Sequence, residues 1–303
     1  MAGSGKRRNG PALKSSIECP ESSTLCGGLR LAPPRVYDRM TEPLHTPSGF
    51  RRRLAAGGCV FGTFLKTTDP AFAETAALAG LDFVILDTEH GLASPADLHN
   101  LVRAVQAGGA LPVVRVAANR PELIQTALDA GAGGVQVPGV TSAAEARAVA
   151  RAAYFAPKGQ RGVCRYVRAA RYSATPAKEY FAAAQDVLTI VHIEGKEALE
   201  AAADIAAVEG IDICFIGPWD LSQSLGIPGE VGHPKMLEAI KGLARKLRPE
   251  GKILGTFLDD DANLAAFADA GIQYFGYGTD VGLFHNACAA LAADLHKTVA
   301  NNQ

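Results

Sequence analysis

Short apolar segments recur along the chain from Phe50 onward, and each is rich in β-branched and aromatic residues. The segments are almost continuously hydrophobic, which is typical of strands buried on both faces of a parallel sheet. The pattern predicts eight strands. They lie at residues 59–65, 83–87, 111–116, 134–138, 187–194, 212–217, 252–258 and 273–278.

Helices are predicted between these strands because capping residues stand at their starts. Asp69 and Ser94 each precede a proline, which is favoured at the first helical position. Ser142 and Glu145 have the spacing of a capping box. Glycine, which adopts left-handed backbone angles easily, is expected to end the helices ahead of the next strand. The glycines at these positions are Gly80, Gly108, Gly131, Gly210, Gly251 and Gly271.

Eight strand–helix units over roughly 240 residues predict an α/β fold, a (β/α)₈ TIM barrel formed as a single domain by residues 49–303. An open doubly wound sheet is the alternative, since periodicity does not show closure. Residues 1–48 are rich in Ser, Pro and Gly and predict a flexible extension. Residues 154–176 form a connection too long for an ordinary turn, which indicates a functional loop.

The composition excludes several classes of protein. The chain has 30 basic and 31 acidic side chains, a balance that gives no electrostatic attraction for nucleic acid or an anionic membrane. We find no apolar run long enough to span a bilayer and expect no signal peptide. The six cysteines have no regular spacing and are interpreted as reduced thiols, so we expect a cytoplasmic protein.

Ionisable residues stand where several predicted strands end. In a barrel the carboxyl ends of the strands form one rim, and catalytic groups lie there. Any one of these residues could instead cap a helix or pair with a neighbour, but their convergence on one rim favours a functional site. The set consists of Asp87, Glu89 and His90 after the second strand, Arg115 on the third, Glu194 on the fifth and Asp220 after the sixth.

These side chains predict a particular chemistry. Two carboxylates without clustered Cys or His favour a hard divalent cation such as Mg²⁺ or Mn²⁺. A cation beside an arginine can hold a 2-oxo acid, and a His–Asp pair three residues apart can move a proton. Together they indicate formation of a pyruvate enolate and the making or breaking of a carbon–carbon bond.

Several segments resemble one known family, the HpcH/HpaI class II pyruvate aldolases, and the resemblance runs from about residue 58 to 296. The segments are LDTEHG (86–91), PVVRV (112–116), GVQVPGV (134–140), APKGQRGV (156–163), VHIE (191–194), VEGIDICFIGPWDLSQSLG (208–226) and GYGTD (276–280).

This resemblance implies a function and residue roles. It implies Glu194 and Asp220 as ligands of a divalent cation (Mg²⁺, Mn²⁺ or Co²⁺), Arg115 as the group that binds the pyruvate carboxylate, and His90 with Asp87 as the proton-handling dyad. The expected partners are a 2-oxo acid and an aldehyde. The resemblance also implies a homo-hexamer, a trimer of dimers that exchange the C-terminal helix.

The chain departs from the family pattern at two positions. His192 stands where many of these aldolases have glutamine; strand alternation places it on the same face as Glu194, where we expect it to contact the substrate. Trp219 stands where several have alanine. We expect Trp219, with the preceding Gly217 and Pro218, to line the substrate site. These departures leave the identity of the aldehyde open. The prediction for the pyruvate half of the substrate is unchanged.

Other functions remain open. Lys66, just past the first strand, could form a Schiff base, although such an enzyme would not need the carboxylate pair. A citrate-lyase-like acyl-CoA lyase should carry a basic path for the nucleotide. A macrophomate-synthase-like oxaloacetate decarboxylase and a non-catalytic barrel that binds 2-oxo acids are further alternatives.

Overall fold

A computed structural model describes residues 45–301, which form a closed barrel of eight parallel strands. Each strand pairs with the next, and the eighth pairs with the first, so the barrel is confirmed over the open sheet. The strands are β1 (Val60–Leu65), β2 (Phe83–Asp87), β3 (Leu111–Arg115), β4 (Gly134–Val137), β5 (Leu188–Ile193), β6 (Ile213–Ile216), β7 (Ile253–Leu258) and β8 (Ile272–Thr279).

Helices surround this barrel. They are α1 (Pro47–Ala55), α2 (Pro70–Leu78), α3 (Pro95–Ala107), α4 (Pro121–Asp129), α5 (Ala143–Ala153), α6 (Ala177–Ala183), α7 (Lys196–Glu200), α8 (Ala202–Ala206), α9 (Pro218–Ser224), α10 (Pro234–Leu247), α11 (Leu264–Ala270) and α12 (Asp280–Ala300). Most of the predicted N-terminal extension lies outside the described residues, and its last two residues belong to α1.

The capping residues act as the sequence predicts. Asp69 accepts a hydrogen bond from the backbone of Ala71 at the start of α2. Ser94 and Asp97 form a capping box on α3, and Ser142 caps α5. The predicted glycine at position 108 differs in detail, because the left-handed backbone angle belongs to its neighbour Gly109.

One hydrophobic core fills the barrel and a second lies between the strands and the outer helices. Helix α1 closes the amino-terminal end: Phe50 packs edge-on against Phe83, and Arg51 forms ion pairs with Asp186 and Asp212, which precede β5 and β6. The opposite end, where the strands finish, is therefore the one available for a site.

The long connection at residues 154–176 follows α5 and leads through α6 to β5. It includes a 3₁₀ helix at Arg168–Ser173, and it lines a cavity of about 540 Å³ together with residues that directly precede β4 and β5. Within this chain the loop therefore lies at the amino ends of those strands. Its Arg161 forms an ion pair with Asp129 at 2.7 Å.

None of the helices within residues 45–301 has both the length and the apolar composition of a membrane-spanning helix.

Candidate active site

A cavity of about 430 Å³ opens at the carboxyl ends of the strands. Three aromatic side chains, Phe64, Phe215 and Phe257, form its apolar part. The polar residues that the sequence places at strand ends line the same cavity: His90, Arg115, His192, Glu194 and Asp220, with Gly217, Pro218 and Trp219. Asp87 lies just beneath, fully buried. The structure therefore brings the predicted site residues together.

Asp87, at the end of β2, is bound by two cationic side chains. Arg115 Nε donates to Asp87 Oδ1 at 2.8 Å, and Arg115 Nη2 donates to Oδ2 at 2.6 Å. Lys66 Nζ also donates to Oδ2. Burial alone would raise the pKa of this carboxyl, but the hydrogen bonds and charges of Arg115 and Lys66 outweigh burial and hold the pKa well below its usual value. Asp87 is therefore a fixed anion that holds both cations in place.

Arg115 retains donors for a ligand. A guanidinium has five N–H groups. Two go to Asp87, and Nη1 lies 3.1 Å from Glu89 Oε2. Two N–H groups, one on each terminal nitrogen, remain. The ring of Phe64 packs against the guanidinium carbon at 4.8 Å and supports its plane.

His90 does not form the predicted side-chain dyad with Asp87. Asp87 Oδ1 instead accepts hydrogen bonds from the backbone N–H groups of Glu89 and His90, at 3.1 and 3.3 Å. The His90 imidazole is mostly exposed at the cavity mouth, 3.9 Å from Glu89 Oε2. The reason is that the carboxylate faces inward to the two cations while the chain turns outward after β2. Asp87 thus positions His90 through the backbone.

Glu194 and Asp220 approach each other across Gly217. A β-carbon placed on Gly217 would lie 3.2 Å from Glu194 Oε2 and 4.0 Å from Asp220 Oδ2, so glycine leaves open the space between the two carboxylates. Burial opposes ionisation of Glu194, but His192, the Gly139 backbone and Arg115 lower its pKa below the usual value. Two carboxylates beside an open space fit a hard divalent cation.

The described residues 45–301 contain no group of three or more His, Cys, Asp or Glu side chains that could hold a metal ion. Glu194 and Asp220 would offer a cation two carboxylates. Such a site leaves most coordination positions to water and substrate, as Mg²⁺ commonly does when bound through one or two carboxylates. The pair and the space beside it thus agree with the predicted cation.

His192 makes contacts that differ from the expected substrate contact. Its Nδ1 lies 2.8 Å from Glu194 Oε2, and its Nε2 lies 2.7 Å from the side-chain amide nitrogen of Gln136. The ring stacks on Phe215, with centroids 5.0 Å apart. Because both ring nitrogens already have protein partners, the imidazole has no nitrogen free for the substrate.

Trp219, at the start of α9, borders the outer part of the cavity. Its indole Nε1 donates to Asp259 Oδ2 at 3.0 Å, and about half of the side chain is exposed. Burial raises the pKa of Asp259 despite the hydrogen bond from Trp219. The pair links the loop after β7 to α9 and narrows the mouth of the cavity.

Three residues in or beside the cavity were missed or misjudged from the sequence. Lys66 lies in the cavity, but its ammonium group holds Asp87. Gln136 resembles any strand residue in the sequence, and only its fully buried side chain shows its importance. Asp259 stands within an Asp-Asp-Asp run that is typical of a loop. Its position directly after β7 was the available signal.

Comparisons with known proteins agree with this geometry. The family model for HpcH/HpaI aldolase/citrate lyase matches residues 60–287. The chain is 38% identical over 260 residues to a hydroxypyruvate/pyruvate aldolase of Cupriavidus necator, covering 84% of this chain and 94% of the relative. It is also 38% identical over 241 residues to a 2-keto-3-deoxy-L-rhamnonate aldolase of Shigella sonnei, covering 78% and 89%.

Among solved structures, an HpcH/HpaI aldolase/citrate lyase family protein from Burkholderia cenocepacia superposes with a TM-score of 0.77 at 30% identity. The match covers 83% of this chain and all of that protein. The family-model match at residues 60–287 spans the barrel from β1 to β8.

Proposed function

Because the chain belongs to the HpcH/HpaI aldolase/citrate lyase family, we propose that it is a metal-dependent aldolase. It reversibly cleaves a 4-hydroxy-2-oxo acid into pyruvate and an aldehyde. The observation that carries this proposal is the approach of Glu194 and Asp220 across Gly217, in the cavity that also contains Arg115. The chemistry is that of a carbon–carbon lyase.

The pyruvate half of the substrate lies against Arg115, Glu194 and Asp220. The two carboxylates hold a divalent cation (Mg²⁺, Mn²⁺ or Co²⁺), which when bound stabilises negative charge on the 2-oxo group. The two remaining N–H groups of Arg115 bind the substrate carboxylate. Asp87 and Lys66 keep Arg115 in the correct orientation, so its two remaining N–H groups are in place before the substrate arrives.

His90 moves the proton. Its imidazole borders the cavity and takes the proton of the C4 hydroxyl as the C3–C4 bond breaks. The electron pair of that bond remains on the pyruvate half as its enolate, and C4 leaves as the aldehyde carbonyl. His90 then returns the proton to C3, which gives pyruvate. Asp87 contributes by fixing the His90 backbone.

The aldehyde half lies toward the cavity mouth, where Trp219 and Asp259 restrict the available space. Lys66 and Arg115 are the cationic side chains that line the cavity, and both are bound to Asp87. Gly217 and Pro218 form the turn that presents Trp219 to this region. The site therefore favours a small aldehyde without a negative charge.

We further propose that the protein is a homo-oligomer, a hexamer built as a trimer of dimers. Helix α12 supports this, because Asp280 is its one buried residue within the described part of the chain. Phe284, Leu291, Leu295 and Val299 are each at least half exposed. A second copy of the chain, exchanging α12, would cover this apolar face.

We propose the cytoplasm as the compartment, with small molecules and no nucleic acid or membrane as partners. The four described cysteines, Cys59, Cys164, Cys214 and Cys288, are free thiols, which suits a reducing environment. The near-neutral net charge of −1 supplies no attraction for polyanions.

The test is release of pyruvate from 4-hydroxy-2-oxo acids after chelation with EDTA and after return of Mg²⁺, Mn²⁺ or Co²⁺. We expect activity to disappear with EDTA and to return with the metal. Glu194→Gln should abolish the metal response, whereas Glu197→Gln, three residues away and exposed on α7, should leave it unchanged. Full turnover in EDTA with borohydride trapping of Lys66 would establish a Schiff-base enzyme instead.

A further inference from the structure

Three side chains form a continuous hydrogen-bonded row beneath the proposed metal site. Gln136 lies on β4, His192 lies on β5, and Glu194 follows the end of β5. The Gln136 amide nitrogen lies 2.7 Å from His192 Nε2, and His192 Nδ1 lies 2.8 Å from Glu194 Oε2. Neither Gln136 nor His192 has a role in the proposed reaction.

Both inner members of this row are buried. Gln136 is fully buried and His192 is 2% exposed, so solvent cannot replace the contacts between them. The Gln136 side-chain oxygen, Oε1, is also buried and has no hydrogen-bond partner among residues 45–301. Leaving that oxygen unpaired is costly, and the contact of the amide nitrogen with His192 offsets part of that cost.

The direction of the hydrogen bonds follows from the groups involved. An amide nitrogen only donates, so His192 Nε2 must accept and carries no hydrogen. The hydrogen of a neutral imidazole then lies on Nδ1, where it is donated to Glu194 Oε2. The stacking of the ring on Phe215 restricts its tilt and keeps both contacts aligned.

The orientation of the Glu194 carboxylate is fixed by a hydrogen bond to each of its oxygens. Its Oε2 accepts from His192, and its Oε1 accepts from the backbone N–H of Gly139 at 2.8 Å. Each carboxylate oxygen has two acceptor positions, so one remains free on each oxygen. Glu194 therefore cannot rotate without losing a hydrogen bond.

We propose that Gln136 is a positioning residue that holds His192 in the Nδ1–H form, so that His192 orients Glu194 toward the cation. This inference rests on the proposed function, in which Glu194 is a metal ligand. Residues that hydrogen-bond a metal ligand commonly change metal affinity 10- to 100-fold when they are replaced, and Gln136 acts one residue further out, through His192.

The first experiment reads the hydrogen position directly in the unaltered protein. The full chain is labelled with ¹⁵N-histidine, loaded with Mg²⁺ and examined by NMR, and the His192 signals are assigned by their loss in His192→Gln. We expect hydrogen on Nδ1 and a bare Nε2. Hydrogen on Nε2, alone or together with Nδ1, would overturn the proposal whether or not Gln136→Leu folds.

The second experiment measures Mn²⁺ binding by the electron paramagnetic resonance of the free ion. Gln136→Leu should raise the Mn²⁺ Kd by up to about 10-fold, the lower end of the range for a residue that bonds the ligand directly, because Gln136 acts through His192. Gln185→Leu is the matched control, because Gln185 also has a buried, unpaired side-chain oxygen but lies next to Phe155, outside the cavity. It should leave the Kd unchanged. An unchanged Kd in Gln136→Leu, or an equal rise in the control, would contradict the proposal.

A double-substitution cycle separates positioning from simple packing. In a His192→Gln background there is no imidazole to hold, so adding Gln136→Leu should change the Mn²⁺ Kd less than about twofold. An equally large rise in both backgrounds would show a packing effect and overturn the inference. If Glu194→Gln leaves Mn²⁺ affinity intact, the ligand assignment itself fails, a result distinct from an insensitive Gln136.

Discussion

The sharpest prediction concerns Arg115, because the structure accounts for each of its nitrogens. Arg115→Lys keeps a positive charge but replaces five donors in a flat fork with three on a single ammonium nitrogen. The lysine can still reach one oxygen of Asp87. It cannot do so and also present two parallel N–H groups to a substrate carboxylate, so one of the two substrate hydrogen bonds is lost.

The size of the effect follows from that contact. A hydrogen bond to a charged group contributes about 1.5–3 kcal/mol. Since 1.4 kcal/mol corresponds to a factor of ten, kcat/KM should fall by about 10- to 150-fold. The KM for pyruvate should rise because ground-state binding is weakened. The kcat should also fall, because the same donors face charge that grows in the transition state.

The assay is carbon–carbon bond formation between pyruvate and a small aldehyde, with pyruvate varied. Arg51→Lys is the matched control. Arg51 lies at the closed end of the barrel and, like Arg115, donates from Nε and Nη2 to one aspartate, here Asp212. Its Nη1 donates to a second aspartate, Asp186. We expect it to lower the melting temperature and leave kcat/KM intact. Unchanged constants in Arg115→Lys, or an equal loss in the control, would refute the role of Arg115.

Three further outcomes are expected. Trp219→Ala, which opens the cavity mouth, should raise kcat/KM for bulky aldehydes relative to small ones at an unchanged pyruvate KM; an unchanged ratio would place the aldehyde elsewhere. Leu291→Asp, on the exposed face of α12, should dissociate the oligomer in sedimentation, and a wild-type monomer at micromolar concentration would contradict the assembly. Asp87→Asn removes the buried carboxylate that pairs with the part-buried Lys66 and Arg115 and leaves Arg115 with Glu89, so it should cost up to about 3 kcal/mol of unfolding free energy at neutral pH. The pKa of Asp87 is lower in the folded protein than in the unfolded chain. This contribution to stability is therefore present above the unfolded pKa of about 3.9 and is lost as the pH falls further. Denaturant titrations of wild type and variant should converge in acid and remain apart at neutral pH.

The barrel was predictable because its signals are local. The segment at 83–87 is apolar except for its last residue, Asp87, and forms β2 over that same range. The Asp69–Pro70 pair starts α2 through the short-range hydrogen bond that the sequence suggests. The loop at 154–176 was recognised as unusual, and the barrel topology places it at the amino ends of the strands because it lies between α5 and β5. The cavity that it lines there depends on packing between distant segments, for which the sequence carries no local signal.

The same distinction separates the parts of the site that were predicted from those that were not. Strand ends meet on one rim in any barrel, so Asp87, Arg115, Glu194 and Asp220 could be placed together from the sequence. Which of these side chains pair depends on side-chain direction after the strand ends. Spacing along the chain suggested Asp87 with His90, whereas the register Asp87–Arg115 between β2 and β3 puts the guanidinium beside the carboxylate.

His192, where the family resemblance implies glutamine, has a hydrogen-bond partner on the neighbouring strand, Gln136. A glutamine side chain ends in an amide that can rotate to suit its partners, whereas an imidazole must choose which nitrogen carries the hydrogen. In a buried place the wrong choice would set a bare nitrogen against the Glu194 carboxylate. The N–H donor of Gln136 on β4 removes that choice, while the side-chain oxygen of Gln136 stays unpaired within the described residues. Position 192 and position 136 therefore form one unit, and a histidine at 192 should require a donor at 136.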